Sequence, residues 1–301
     1  VVNVTPKVRL LRFALIYGAN ASGKSNLLNA MDFLRDFWFD KKSDIDEKTG
    51  VVPFLLDTET PNEPSEFNVK FFVGDKRYWY ALVLDDKQVI KEDLYVYNSV
   101  QPSLVFSREL DGTASLIKLN ASLVKANATI VEQLNVKCLS NMSFFAARNQ
   151  VNCSLAYIDE VRDWMKNNMM PIIQPGTRMF EYAGKQMEKN VELKAYILDF
   201  VHKADYNITD VYTEREKVPI PDIVKASIME DKDIPEKAKE KMLADNALER
   251  LRTDFQHTVK NKRGEENYRL PNSLQSEGTK RTFGIEAAIY EAIKTNGILP
   301  I

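Results

Sequence analysis

Eight consecutive residues, Gly18-Ala19-Asn20-Ala21-Ser22-Gly23-Lys24-Ser25, carry the clearest chemistry in this chain. They satisfy Gly-x4-Gly-Lys-Ser at every fixed position, the pattern of a phosphate-binding loop. Only 11 of the 301 residues are glycine, so the spacing is not a by-product of composition. Glycines let the backbone turn successive N–H groups toward one point, and a helix starting there adds the positive end of its dipole. Lys24 would neutralise the β- and γ-phosphates of a nucleotide, and the Ser25 hydroxyl would complete the shell of a magnesium ion. Nucleotide contacts are therefore expected from Gly18, Ala19, Asn20, Ala21, Ser22, Gly23, Lys24, Ser25 and Asn26.

A second candidate lies near the other end, at Ser276-Glu277-Gly278-Thr279. A serine and a glycine opening a helix can present N–H groups to an anion. The same serine can equally serve as a plain N-cap. Other residue types offer less. His202 and His257 have no metal-like neighbours and read as structural or surface residues. Cys138 and Cys153 lack metal-ligand spacing, which points to a reducing, cytoplasmic compartment. The short basic turn "KNKRG" at 260–264 is too small to argue for nucleic acid alone.

These residues need elements to hold them. Arg12–Tyr17 reads as a buried strand running into Gly18. After Ser25, Leu27, Leu28, Met31, Leu34 and Trp38 fall at helical spacing. From 51 to 119 the text turns to period-two alternation. Phe67, Val69, Phe71 and Val73, then Tyr78, Tyr80, Leu82 and Leu84, read as strands of about six residues joined by tight polar turns. Their aromatics fit a core better than a base-stacking platform. The section from 121 to about 255 reads as mainly helical. Leu155, Ile158, Val161, Trp164 and Met165 form one apolar face, and Leu193, Ile197, Phe200 and Val201 another. "KVPIPD" reads as a linker, and the charged stretch from Met229 to Phe255 as a solvated helix starting at Pro235. Phe283, Ile285, Ile289 and Ile293 give the last helix its apolar face. Gly297 is placed to stop it, and "ILPI" to begin another buried strand.

Hydrophobic residues make up 44% and charged residues 28% of the chain, as in a soluble globular protein. No apolar run reaches the roughly 18 residues needed to cross a bilayer, so no membrane partner is expected. The net charge of −2 excludes a uniformly basic nucleic-acid binder, while leaving room for a local basic patch.

Taken together, "LLRFALIYGANASGKSNLL", "VVPFLLDTE", "EFNVKFFVGDKRYWYALVL", "HKADYNITDVY" and "LQSEGTKRTFGIEAAIYEAIKTNGILPI" resemble the ABC-type ATPase heads of the RecF, SMC and OLD-like branch. Within it they look most like the AAA-type ATPases of bacterial abortive-infection and other anti-phage systems. The resemblance implies an α/β P-loop NTPase with an antiparallel β subdomain and a helical insertion. It implies one composite head: residues 1–50 as the loop's strand and helix, 51–120 as the β subdomain, 121–270 as the helical insertion, and 271–301 as the signature helix and the start of the next core strand. It implies ATP and Mg2+ as ligands, and ATP-driven joining of two or more copies. In that joining, Ser276, Gly278 and Thr279, with Glu277 beside them, touch the γ-phosphate of a nucleotide held by another copy's loop. The catalytic Asp-Glu pair and the switch histidine are expected beyond Ile301, so these 301 residues are expected to bind ATP and to hydrolyse it slowly. Gln88, Gln101 and Gln150 stay open as the γ-phosphate-sensing glutamine. A separate effector protein is implied as a partner, with nucleic acid possible and not supported by net charge. Two other readings are a P-loop phosphotransferase acting on a small molecule and a regulatory ATPase gating a separate nuclease or toxin.

Overall fold

The computed structural model describes residues 2–5, 8–204, 207–231, 234–244 and 246–301. Pro6 and Lys7, Asp205 and Tyr206 of the quoted "HKADYNITDVY", and Lys232, Asp233 and Asp245 of the charged stretch lie outside them. The chain divides into two compact units, Val1–Ile172 with Asn296–Ile301, and Ile173–Thr295.

The first unit opens with a short antiparallel pair, β1 (Val2–Thr5) and β2 (Val8–Leu10). After the glycine loop comes α1 (Lys24–Phe37). Its centre is a five-stranded antiparallel meander in simple order: β3 (Ser65–Val73), β4 (Lys76–Leu84), β5 (Val89–Tyr97), β6 (Ser103–Asp111) and β7 (Ala114–Leu119). Four of these strands run nine residues, longer than the alternation implied. Gly74 takes a left-handed φ of 60° in the two-residue turn between β3 and β4, a conformation that favours glycine there.

Helices α2 (Ala128–Lys137), α3 (Phe144–Arg148) and α4 (Ile158–Asn168) complete this unit. The expected alternation sends Tyr78, Tyr80, Leu82 and Leu84 into a core with Phe106, Leu134, Phe144, Phe145, Val161 and Met165. The far end of α1 joins it, with Trp38 edge-on to Tyr80 at 5.8 Å. A charged pair is buried beside these rings. Glu92 accepts from the Tyr80 hydroxyl, the Ser143 hydroxyl and the Phe144 N–H, and lies 3.5 Å from Arg108 Nη1. Arg108 also donates to the Leu139 carbonyl and the Ser115 hydroxyl, so the pair ties β5 and β6 to the start of α3.

The second unit holds α5 (Phe180–Lys189), α6 (Val191–Lys203), α7 (Asp222–Glu230), α8 (Glu236–Ala244) and α9 (Glu277–Thr295). It also contains a three-stranded antiparallel sheet in the order β10 (Gly264–Pro271), β9 (Ala247–Asn261), β8 (Asp210–Pro219). Its core gathers Ala183, Ile197, Val201, Val211, Phe255, Phe283 and Ala287.

Five sequence expectations need correction. Arg12–Tyr17 forms no strand, and Phe13, Leu15, Ile16 and Tyr17 are each more than half exposed. A strand needs a ladder partner, and none among the described residues pairs with this segment. The "ILPI" strand reduces to one parallel bridge, Met169 with Ile298. Asn296, left-handed at φ 53°, ends α9 in place of Gly297. The helical reading of 121–255 does not hold for β8 and β9: the expected linker "KVPIPD" is the end of β8 running into α7, and after Pro235 the charged helix stops at Ala244 and the chain turns into a strand.

Candidate functional site

The loop that carries the phosphate motif is held at one end of α1. Ala21 and Gly23 are both left-handed, at φ 62° and 85°, on either side of Ser22. Such alternation turns neighbouring N–H groups toward the same side and makes an anion-sized concavity. A Cβ at Gly18 would lie 2.5 Å from Ser22 Oγ, so any larger residue there would turn the serine side chain aside. Ala21 is the costly position, since an alanine in this conformation is strained by about 1–2 kcal/mol. Strain kept at a loop of this kind points to a ligand site.

The start of α1 is also open to an anion. Its N-cap is Gly23, with no side-chain hydrogen bond and no acid in the first turn. By contrast Asn127, Ser143 and Asn190 each cap their helices with a side-chain oxygen. Lys24 folds back over the loop, its Nζ donating to the carbonyls of Gly18 at 2.9 Å and Ala19 at 2.6 Å. The ammonium therefore already stands over the concavity, held by two backbone carbonyls that a phosphate would outcompete. Asn20, Ser22, Ser25 and Asn26 are exposed. These residues fit a nucleoside triphosphate: N–H donors, one movable cation and, on Ser25, a hydroxyl able to take a place in a magnesium shell. A groove of about 660 Å³ lined by Arg35, Asp40, Lys166 and Met169 lies toward the opposite end of α1 and is not part of the loop.

The second candidate loop belongs to the other unit. Ser276 is the N-cap of α9: its Oγ accepts the Thr279 N–H at 3.0 Å and lies 2.8 Å from Thr279 Oγ1. The plain capping role is thus realised, and Thr279 is buried. Glu277 is paired with Lys280, which pulls its carboxyl below the ordinary range. Gly278 has room within its own chain, where a Cβ would meet only Ser276 Oγ at 3.7 Å. The glycine is therefore not demanded by local packing. Gln275 Nε2 lies 2.6 Å from His257 Nε2, which anchors the residue before the cap to β9. No local pattern signals that pairing, since the two residues meet only once β9 exists.

Among the described residues no group of three or more His, Cys, Asp and Glu side chains gathers as a metal site. Among them, too, no helix is long and apolar enough to cross a membrane.

Residues 13–118 match the family model described as "AAA domain, putative AbiEii toxin, Type IV TA system". The match supports a P-loop ATPase of the AAA type. It spans about a third of the chain, and takes in both the phosphate loop and most of the five-stranded sheet. No curated protein and no solved structure matches this chain.

Proposed function

We propose that this chain is an ATP-binding switch of the RecF, SMC and OLD-like kind, working in an abortive-infection or related anti-phage system and governing a separate effector. The observation that carries the reading is the loop from Gly18 to Ser25: two left-handed residues, an uncapped helix start and a lysine poised over them. The loop's N–H groups bind the β-phosphate, Lys24 moves from its two carbonyls to the β- and γ-phosphates, and Ser25 and Asn26 stand at the entrance. Bound Mg2+ would screen the charge between those phosphates.

The switching half of the proposal rests on Ser276–Thr279. A glycine that its own fold does not require leaves space at the positive end of α9 for close approach by something outside the chain. A nucleotide held on a second copy fills that role, and each nucleotide then joins two chains. A small ligand thereby drives a large positional change, as a conformational switch requires.

The experiment is nucleotide binding followed by light scattering. The wild-type chain should bind a non-hydrolysable ATP analogue with magnesium and increase in mass. Lys24→Ala should lose binding, and Gly278→Asp should bind yet stay at its starting mass. A wild-type chain that saturates with analogue and never changes mass would remove the switch while leaving the nucleotide site intact.

A further inference from the structure

The five-stranded sheet buries one face and leaves the other open, and alternation places aromatic rings on both. Tyr78, Tyr80, Leu82 and Leu84 point into the core, while Trp79, Tyr95 and Tyr97 stand half-buried on the opposite face. Cross-strand register sets Lys70, Trp79 and Tyr95 side by side, and Arg77 beside Tyr97. Trp79 and Tyr95 stack at 4.7 Å. Lys70 Nζ lies 5.3 Å from the Trp79 ring, and the Arg77 guanidinium 4.6 Å from the Tyr97 ring. Two hydrogen bonds hold the rings in place, Trp79 Nε1 to Asn68 and the Tyr95 hydroxyl to Asp93.

Charge divides this face. Lys91 is matched by Glu109 and by Asp93, the carboxylate that also takes the Tyr95 hydroxyl. At the ring end Lys70 and Arg77 form no ion pair among the described residues, and each covers an aromatic surface instead. Fixed rings under cations without an ion-pair partner match a ligand that is aromatic and anionic at once.

We propose that the ring end of this face binds an unpaired nucleic-acid strand, with bases stacked on Trp79 and Tyr97 and phosphates paired with Lys70 and Arg77. Both cations sit where a base would stack, on long flexible stems. An arriving base displaces each from its ring to a neighbouring phosphate, exchanging a cation–π contact for a charge-assisted one. A duplex has its base faces covered and lacks that contact. The chain's near-neutral net charge is no obstacle, because the cations needed are local. The proposal stands independently of the phosphate loop.

The test titrates the whole chain with labelled oligothymidylate, oligouridylate and a DNA duplex of equal length, over a range of salt. Single strands should bind and quench tryptophan fluorescence, and the duplex should not. Two phosphate contacts give a slope of log affinity against log salt of about −1.4. Trp79→Ala should weaken binding about tenfold or more. The Lys70→Gln, Arg77→Gln pair should flatten the salt slope, and being exposed substitutions they keep the test sound even where Trp79→Ala disturbs the sheet. Lys24→Ala should bind strands as wild type does, which separates this site from the nucleotide loop. The proposal falls if no strand binds at low salt, if duplex binds equally well, or if the charge variant keeps both the affinity and the slope. DNA and RNA results that differ name the preferred strand.

Discussion

At the scale of single residues, the loop holds two features that composition does not disclose. Ala21 occupies a left-handed conformation that glycine adopts freely. Ala21→Gly should therefore stabilise the chain by up to about 1 kcal/mol, the released strain less the glycine's extra freedom when unfolded. Thermal unfolding would read it, and a lower melting temperature would show that Ala21 is not strained. Lys24 donates to two exposed carbonyls. Removing it should change stability by less than about 0.5 kcal/mol while abolishing nucleotide binding, a split that calorimetry on Lys24→Ala would show. The motif was legible because its residue types are the chemistry: glycines for the turn, lysine for charge, serine for metal. The strain at Ala21 and the folded-back ammonium were not, since alanine carries no conformational signal and a lysine's resting partner depends on the loop's final shape.

At the scale of elements, legibility followed how far each segment's pattern stood clear of its charge. The meander from β3 to β7 announced itself by alternation. β9 alternates too, with Leu251, Thr253 and Phe255 directed inward, but the arginines and acids between them resembled a solvated helix. The segment from Arg12 to Tyr17 failed differently: its residues suit a strand, and what it lacks among the described residues is a ladder partner, which no local pattern can report. Helix α9 shows what packing adds to pattern. Gly284 lies so close to Met179 that a Cβ would come within 2.8 Å of its backbone carbonyl carbon. Gly284→Ala should destabilise the second unit by about 1–3 kcal/mol through overpacking. Two residues on, Glu286 is buried with the Tyr196 hydroxyl at 3.1 Å. Burial pushes its carboxyl above the ordinary 4.5, and the tyrosine only partly offsets this. A raised carboxyl binds its proton more tightly folded than unfolded. Its contribution is thus full below about pH 4.5 and is lost as pH rises through the higher folded value. Glu286→Gln should flatten that decline and melt higher than wild type at neutral pH. Identical pH profiles for the two proteins would mean that Glu286 is ionised in the fold without penalty.

At the scale of the whole molecule, the phosphate loop and the Ser276–Thr279 loop lie in separate compact units. Whether one nucleotide touches both loops of one chain or one loop from each of two chains is a question about concentration. A contact within a chain forms to the same extent however dilute the protein is. A contact between chains follows mass action and disappears on dilution, even with the nucleotide site still saturated. Hydrogen exchange with saturating ATP analogue distinguishes the two. The amides from Gly18 to Asn26 should be protected at every protein concentration, because the loop binds its phosphate alone. Protection of Gly278 and Thr279 should rise with protein concentration, in step with the mass seen by light scattering, and vanish in Gly278→Asp. Thr279 N–H is already bonded to Ser276 Oγ, so the change to follow there is an increment over the analogue-free chain. If both loops gain protection together at high dilution, the two ends of one chain share a nucleotide and the joining of copies is not the event ATP controls. If only the first loop ever gains it, Ser276 is a helix cap and nothing more.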